Sequence, residues 1–255
     1  MRVLLSSLVL MVSVVAVSCG GGSSPHGNPA TAQIRIMQAS PDLGNVDIQA
    51  NGKNLVTDLG WHGVFPMPTT NYVNVPLGSL HFQEFATGTT SPALVDTQFS
   101  VSANNYYTIL TAGEQSTGSL ATIALGDDHV PPASGELRIR LVNAASTLGA
   151  VDIYLTSNPT DPLPATPTLP AFAYKSVSGY MSFPGTDVNI CANPMTGGSL
   201  GSIPPATASC SLAIRYQLLS PPQNSATLLL LDPYIPPNPP PGSFTAPVVF
   251  AALPY

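Results

Sequence analysis

The segment Gly197-Gly198-Ser199-Leu200-Gly201 satisfies G-x-S-x-G, the pattern in which a sharp turn raises a serine hydroxyl for nucleophilic attack. That chemistry needs a strand before the serine and a helix after it. Here the motif lies in PMTGGSLGSIPP, a Gly/Ser/Pro loop, so it reads as a chance match. An envelope hydrolase is therefore the weakest of the function classes considered. Asp42, Asn45 and Asp47 offer oxygen ligands at alternating spacing, and Asp127-Asp128 add two more further along. Calcium takes about six to eight oxygens, which neither set supplies alone. The simpler roles are a turn cap for Asp42, a solvated strand position for Asp47, and solubility for Asp127 and Asp128. The four histidines, His26, His62, His81 and His129, have no metal-ligand spacing, and no cofactor is expected. Trp61, Phe65 and the pair Tyr106-Tyr107 could form an aromatic surface for a sugar or peptide; closing the end of a core is the simpler use.

The elements that would position such residues come from a chain of 255 residues with 44% hydrophobic and only 8% charged content. A typical soluble domain has about 25% charged residues, so this surface must be built from Ser, Thr, Asn, Gln, Gly and Pro. That composition favours strands over helices. Seven basic residues against thirteen acidic ones give a net charge of -6, with no basic patch for a phosphate backbone, so nucleic acid is not expected as a partner.

The first eighteen residues carry Arg2 and then an apolar run from Val3 to Val17, the form of a secretory signal. Ala16-Val17-Ser18-Cys19 resembles a bacterial lipobox, with Ala16 where Leu is usual; lipid on Cys19 would anchor the chain to a membrane. Gly20 in place of Asp resembles the pattern of lipoproteins passed on to the outer membrane. GGGSSPHGNPA then reads as a flexible tether. The remaining two cysteines, Cys191 and Cys210, are expected to pair in an oxidising compartment, contributing about 3 kcal/mol.

IRIMQASPDLGNVDI, from Ile34 to Ile48, is written again as IRLVNAASTLGAVDI, from Ile139 to Ile153, with identity at Ile, Arg, Ala, Leu, Gly, Val, Asp and Ile. A module of about a hundred residues, present twice, explains this. At the far ends, Leu120–Pro132 aligns with Ser225–Pro237. In QIRIMQ and ELRIRLVN the apolar residues alternate with Arg35, Arg138 and Arg140, a period of two that places the arginines on the wet face of a half-buried strand. Further strands are expected near Asn71–Val75, Leu80–Phe85, Val95–Val101, Tyr106–Leu110 and Leu120–Leu125. No helical stripe appears, and prolines interrupt most candidates. The fold expected is all-β, two tandem immunoglobulin-like antiparallel β-sandwiches. The chain then divides into a signal peptide (1–18), a Gly/Ser-rich tether (19–31), repeats over 32–130 and 135–235, and a proline-rich tail (236–255). Its last segment, VVFAALPY, is read as an extra strand. GDDHVPPASGE between the repeats reads as a short stiff linker.

Arg35, Ala39, Ser40, Pro41, Asp42, Val46 and Asp47, followed by Tyr72, Val75, Pro76 and Gly78, resemble the signature of the bacterial domain of unknown function 4397. In the second copy Arg140, Ala144, Val151 and Asp152, then Val177, Tyr180 and Pro184, resemble it too, with Ala145-Ser146-Thr147 where Ser-Pro-Asp would stand. Gln38 and Asn143 replace the family's usual His. The resemblance implies a secreted or lipid-anchored protein of tandem modules and assigns no reaction. The functional expectation is a non-catalytic cell-envelope lipoprotein, anchored by lipid at the outer membrane and acting as a spacer or protein-interaction module. The alternative is glycan or polymer binding by Trp61, Phe65, Tyr106 and Tyr107.

Overall fold

The computed structural model describes residues 30–69, 71–158, 160–185, 187–194, 210, 212–217, 225–232 and 249–254. The signal segment, Cys19, His26, nearly all of the tether, the loop holding Ser199 and the proline-rich stretch after Asp232 lie outside them.

The first half has two sheets. In one, β1 (Thr31–Gln38) is paired antiparallel with the short β4 (Val64–Phe65) and β5 (Val73–Pro76) along one side and parallel with β8 (Tyr106–Ala112) along the other, and β9 (Ala121–Asp127) follows β8. In the second, the order is β3 (Lys53–Leu59), β2 (Val46–Ala50), β6 (Gly78–Ala86) and β7 (Val95–Val101), all antiparallel. Ile34 and Ile36 from β1, Val46 and Ile48 from β2, Leu80 and Phe82 from β6, and Ile109 from β8 meet between the two sheets in one core.

The second half pairs in the same way. One sheet runs β13 (Met181–Pro184), β10 (Glu136–Asn143), β16 (Ser225–Leu231) and β17 (Val249–Pro254); the other runs β12 (Leu169–Phe172), β11 (Val151–Thr156), β14 (Asp187–Pro194) and β15 (Leu212–Gln217). Leu137, Ile139, Val151, Ile153, Val188, Ile190 and Leu228 fill its core. Cys191 on β14 is disulfide-bonded to Cys210 just ahead of β15, with Cα atoms 5.5 Å apart. The bridge therefore ties neighbouring strands.

One pairing in each half is parallel, which the expected antiparallel sandwich does not contain. Ile34 lies beside Tyr107, and Ile139 beside Ala226. Parallel neighbours cannot be joined by a hairpin, and here the chain passes through the second sheet between them. These registers also correct the far-end alignment. β16 takes the place of β8 and β17 that of β9, so Ser225–Leu231 answers Tyr106–Ala112 instead of Leu120–Leu125. Short runs of Ala, Thr and Leu are interchangeable by sequence; the parallel partner decides which is which.

The larger correction concerns the face opposite each core. Met37, Leu110, Ile123 and Leu125 of the first half and Val142, Leu229, Leu231 and Leu253 of the second form a third buried cluster. The sheets carrying β1 and β10 thus pack on one another, and the linker does not set the relation between halves. Arg35 is 0% and Arg140 4% exposed, so their face of the strand looks at the other half and not at water.

Candidate functional site

Asp127 ends β9 at the point where the two facing sheets bring Arg35 and Arg140 together. Arg140 Nη2 lies 2.6 Å from Asp127 Oδ1 and Arg35 Nη2 lies 3.6 Å from Oδ2. Each guanidinium also donates to a threonine at the same register on its parallel neighbour: Arg35 to Thr108 (Nε 3.1 Å, Nη2 2.9 Å) and Arg140 to Thr227 (3.1 and 2.7 Å). Each then crosses to a carbonyl of the other half, Arg35 Nη1 to Pro254 O (2.9 Å) and Arg140 Nη1 to Gly126 O (2.7 Å). Thr108 Oγ1 and Tyr72 Oη (2.8 Å) donate to Asp127 Oδ2. Burial first, and then the Asp127 charge, push the Tyr72 phenol far above its ordinary pKa. Buried charges persist only when paired and hydrogen-bonded, and this set meets that condition. Asp127, expected to solubilise a linker, is instead the anionic centre of a seam between halves.

Beyond the seam the linker turns against both halves. Asp128 accepts from Arg138 Nη2 (2.6 Å) and from the Val130 N–H (2.9 Å); Arg138 in particular holds its carboxyl below the ordinary range. The Arg138 and Arg140 guanidiniums lie over the Tyr180 ring at 4.2 and 4.8 Å. On the other side the His129 ring stacks on Tyr106, with centroids 4.0 Å apart, and its Nε2 is 3.3 Å from Tyr72 Oη. Burial lowers the His129 pKa, so the ring is neutral near pH 7. Gln33, Pro66, Asn71, Tyr72, Tyr106 and His129 line a cleft of about 470 Å³ here.

Of the four aromatic residues expected to act together, only Tyr106 lines this cleft. Tyr107 and Phe65 pack against the first core, and Tyr107 Oη accepts the Ser102 N–H at 3.1 Å. Trp61 stacks on His62 at 3.7 Å. The period of two explains the split: Tyr106 and Tyr107 are consecutive on a strand and face opposite ways.

The calcium candidates have other partners. Asp42 accepts the N–H groups of Gln115 (2.8 Å) and Ser116 (2.9 Å) and the Ser40 hydroxyl (3.3 Å). Partial burial raises its pKa, but these bonds outweigh it and hold the carboxyl below the usual range. Asp47 accepts the N–H groups of Gly88 and Asp58, both at 2.9 Å. Among the described residues no group of three or more His, Cys, Asp or Glu could hold a metal ion. Asp152, at the place of Asp47, accepts the Ala171 N–H (2.8 Å). Asp58 and Ala171 both have positive φ, 59° and 48°, so the Val-Asp-Ile aspartate secures a strained residue of the adjacent strand in each half. Gln38 and Asn143, at matched positions of β1 and β10, donate to the matching turn carbonyls of Gly44 (2.9 Å) and Gly149 (3.1 Å).

Sequence reasoning missed the seam and a buried carboxyl, Glu84. A signal for each was present. ILTA in β8 and LLLL in β16 are apolar on both faces, the mark of a strand covered on both sides. In LHFQE, Glu84 shares its face with Leu80 and Phe82.

No curated protein matches the chain. Among solved structures, a family 41 carbohydrate-binding module from streptococcal virulence factors, described for alpha-glucan recognition, is 12% identical over 80% of this chain and 95% of that one, with a TM-score of 0.25. A streptococcal ancillary pilin is 12% identical over 82% of this chain and 64% of that one, with a TM-score of 0.23. Likeness this distant carries no argument about function. The family signature is more specific: residues 32–154, which span the first half together with β10 and most of β11, match the model described as Domain of unknown function (DUF4397).

Proposed function

We propose that this is a non-catalytic cell-envelope lipoprotein, moored by lipid on Cys19 at the outer membrane, whose duplicated immunoglobulin-like modules serve as a stiff spacer and interaction body. The observation that carries this reading is the double brace between the halves, a shared apolar core and the Arg35–Asp127–Arg140 seam. Two domains on a flexible linker would reorient freely. Two halves sharing a core hold their outer loops at fixed separation, which suits presentation of a surface away from a membrane. The charged side chains of the seam are engaged with one another, a bracing use and not a catalytic one.

The mooring is tested by fractionating cells that express the protein and a Cys19→Ser variant. The wild type is expected in the membrane fraction with a lipid-modified N-terminal cysteine by mass, and the variant in the soluble fraction. Equal distribution of the two would remove the lipid anchor from the reading. Crosslinking in intact envelopes is expected to capture a protein partner, and capture of nothing would leave only the spacer role. Glycan binding stands as the second reading, favoured by Tyr72 and Tyr106 in the open cleft.

A further inference from the structure

We infer that the cleft between β1, β8 and the linker receives a guanidinium group, the arginine side chain of a partner protein. The inference rests on the interaction-body reading above and names the chemistry of its partner. It comes from comparing the two halves at matched register. Gln33 lies opposite Asn74 on β5, and Arg138 lies opposite Ser182 on β13. Tyr72 and Tyr180 each stand two residues before those partners.

In the second half, therefore, a tyrosine has two guanidiniums over its ring, from Arg140 and Arg138. In the first half the Arg140 position is filled by Arg35, 4.9 Å from the Tyr72 centroid. The Arg138 position is filled by Gln33, shorter and uncharged, and there the cleft opens. Tyr106 widens the aromatic wall where its counterpart is Ser225.

The Gln33 side chain has no hydrogen-bond partner among the described residues. Asn71 donates its amide nitrogen to the Met67 carbonyl (3.3 Å) and keeps its oxygen for a ligand. A guanidinium is a planar cation with five donors and no acceptor. It stacks on tyrosine and donates in its own plane to amide oxygens, which is the combination the cleft offers. An ammonium has the charge but no face to stack. The net charge of -6 favours approach of a basic segment.

The test titrates the mature protein in detergent with N-acetylarginine amide, N-acetyllysine amide and a glucose trisaccharide, following backbone amide shifts at Gln33, Asn71 to Val73 and Tyr106. Saturable shifts with the arginine probe are expected, with a Kd at least about fivefold lower than that for the lysine probe, and no response to the sugar. Gln33→Arg should rebuild the second-half arrangement from within and abolish the response. Tyr106→Ser, which copies Ser225, should weaken it about tenfold, and both variants should keep the amide spectrum of a folded chain. A response to the sugar alone makes the cleft a glycan site and overturns the inference. Equal response to lysine and arginine, no response to any probe, or unchanged arginine binding in both variants also overturns it. If arginine fails while envelope crosslinking still captures a partner, the interaction-body reading survives without this site.

Discussion

Glu84 lies fully buried on the inner face of β6, with Thr111 donating to Oε1 and no partner for Oε2 among the described residues. Gln38, the register neighbour of Thr111, has its own Oε1 unpartnered as well. Burial raises the Glu84 pKa to about 7, and the Thr111 bond only partly offsets this. A carboxyl raised in the folded state binds more protons folded than unfolded between the two pKa values. Stability from this group is therefore greatest below its unfolded value of 4.5 and falls as pH rises towards 7, beyond which the full cost of the buried charge is present. Glu84→Gln removes that cost and supplies an amide that can donate towards Gln38. It is expected to stabilise the chain by roughly 3 kcal/mol at pH 8, as an upper bound, and by little at pH 4. Urea unfolding across that range checks it, and a pH-independent difference would refute a titrating Glu84. The alternation Leu80, Phe82, Glu84 made the burial legible; nothing local could reveal that, among the described residues, no cation pairs with it.

Between elements, the two halves solve one loop problem with the carboxylate on opposite sides. In the first, Asp42 in the β1–β2 loop accepts from the backbone of the loop after β8. In the second, Asp232 directly after β16 accepts the N–H groups of Ser146 (2.7 Å) and Thr147 (3.0 Å), and both hydroxyls, from the β10–β11 loop. This gives a physical reason for Ala145-Ser146-Thr147 where Ser-Pro-Asp would stand: the acid has moved across and the first loop now donates. Asp232 is fully buried, so Asp232→Ala strands several donors and is expected to cost about 2–4 kcal/mol, while Asp42, only partly buried, should cost about 1 when replaced by Ala. Thermal unfolding of both variants ranks them, and equal losses would contradict the burial argument. Sequence spacing placed Asp42 in a turn, but its backbone partners, Gln115 and Ser116, lie more than seventy residues away. Strand existence was readable from periodicity, whereas parallel registers between remote strands follow from which faces the whole chain must cover.

At the scale of the molecule, an alternating strand reads identically whether its polar face meets water or an opposite charge on another sheet, and for that reason Arg35 and Arg140 were assigned to solvent. The uniform runs in β8 and β16 argue against solvent on that face. The resulting body is closed by Tyr174 at the other end of the β8–β9 hairpin, where its hydroxyl donates to Ser119 O (3.0 Å) and lies 2.3 Å from where a Cβ on Gly113 would stand. Gly113 also has φ of 83°, so no larger residue fits this crossing. If the seam braces the halves, Asp127→Ala leaves two guanidiniums buried without their shared carboxylate and should cost roughly 3–5 kcal/mol. Hydrogen exchange should then rise first at β1, β8, β10 and β16 along the shared face, ahead of β2 and β11. Replacing Arg35 and Arg140 by Met together with Asp127 by Leu removes charge and counter-charge at once, so most of the lost stability should return. A triple variant no more stable than Asp127→Ala would mean that the seam sets the register of the two sheets through its hydrogen bonds, beyond neutralising buried charge.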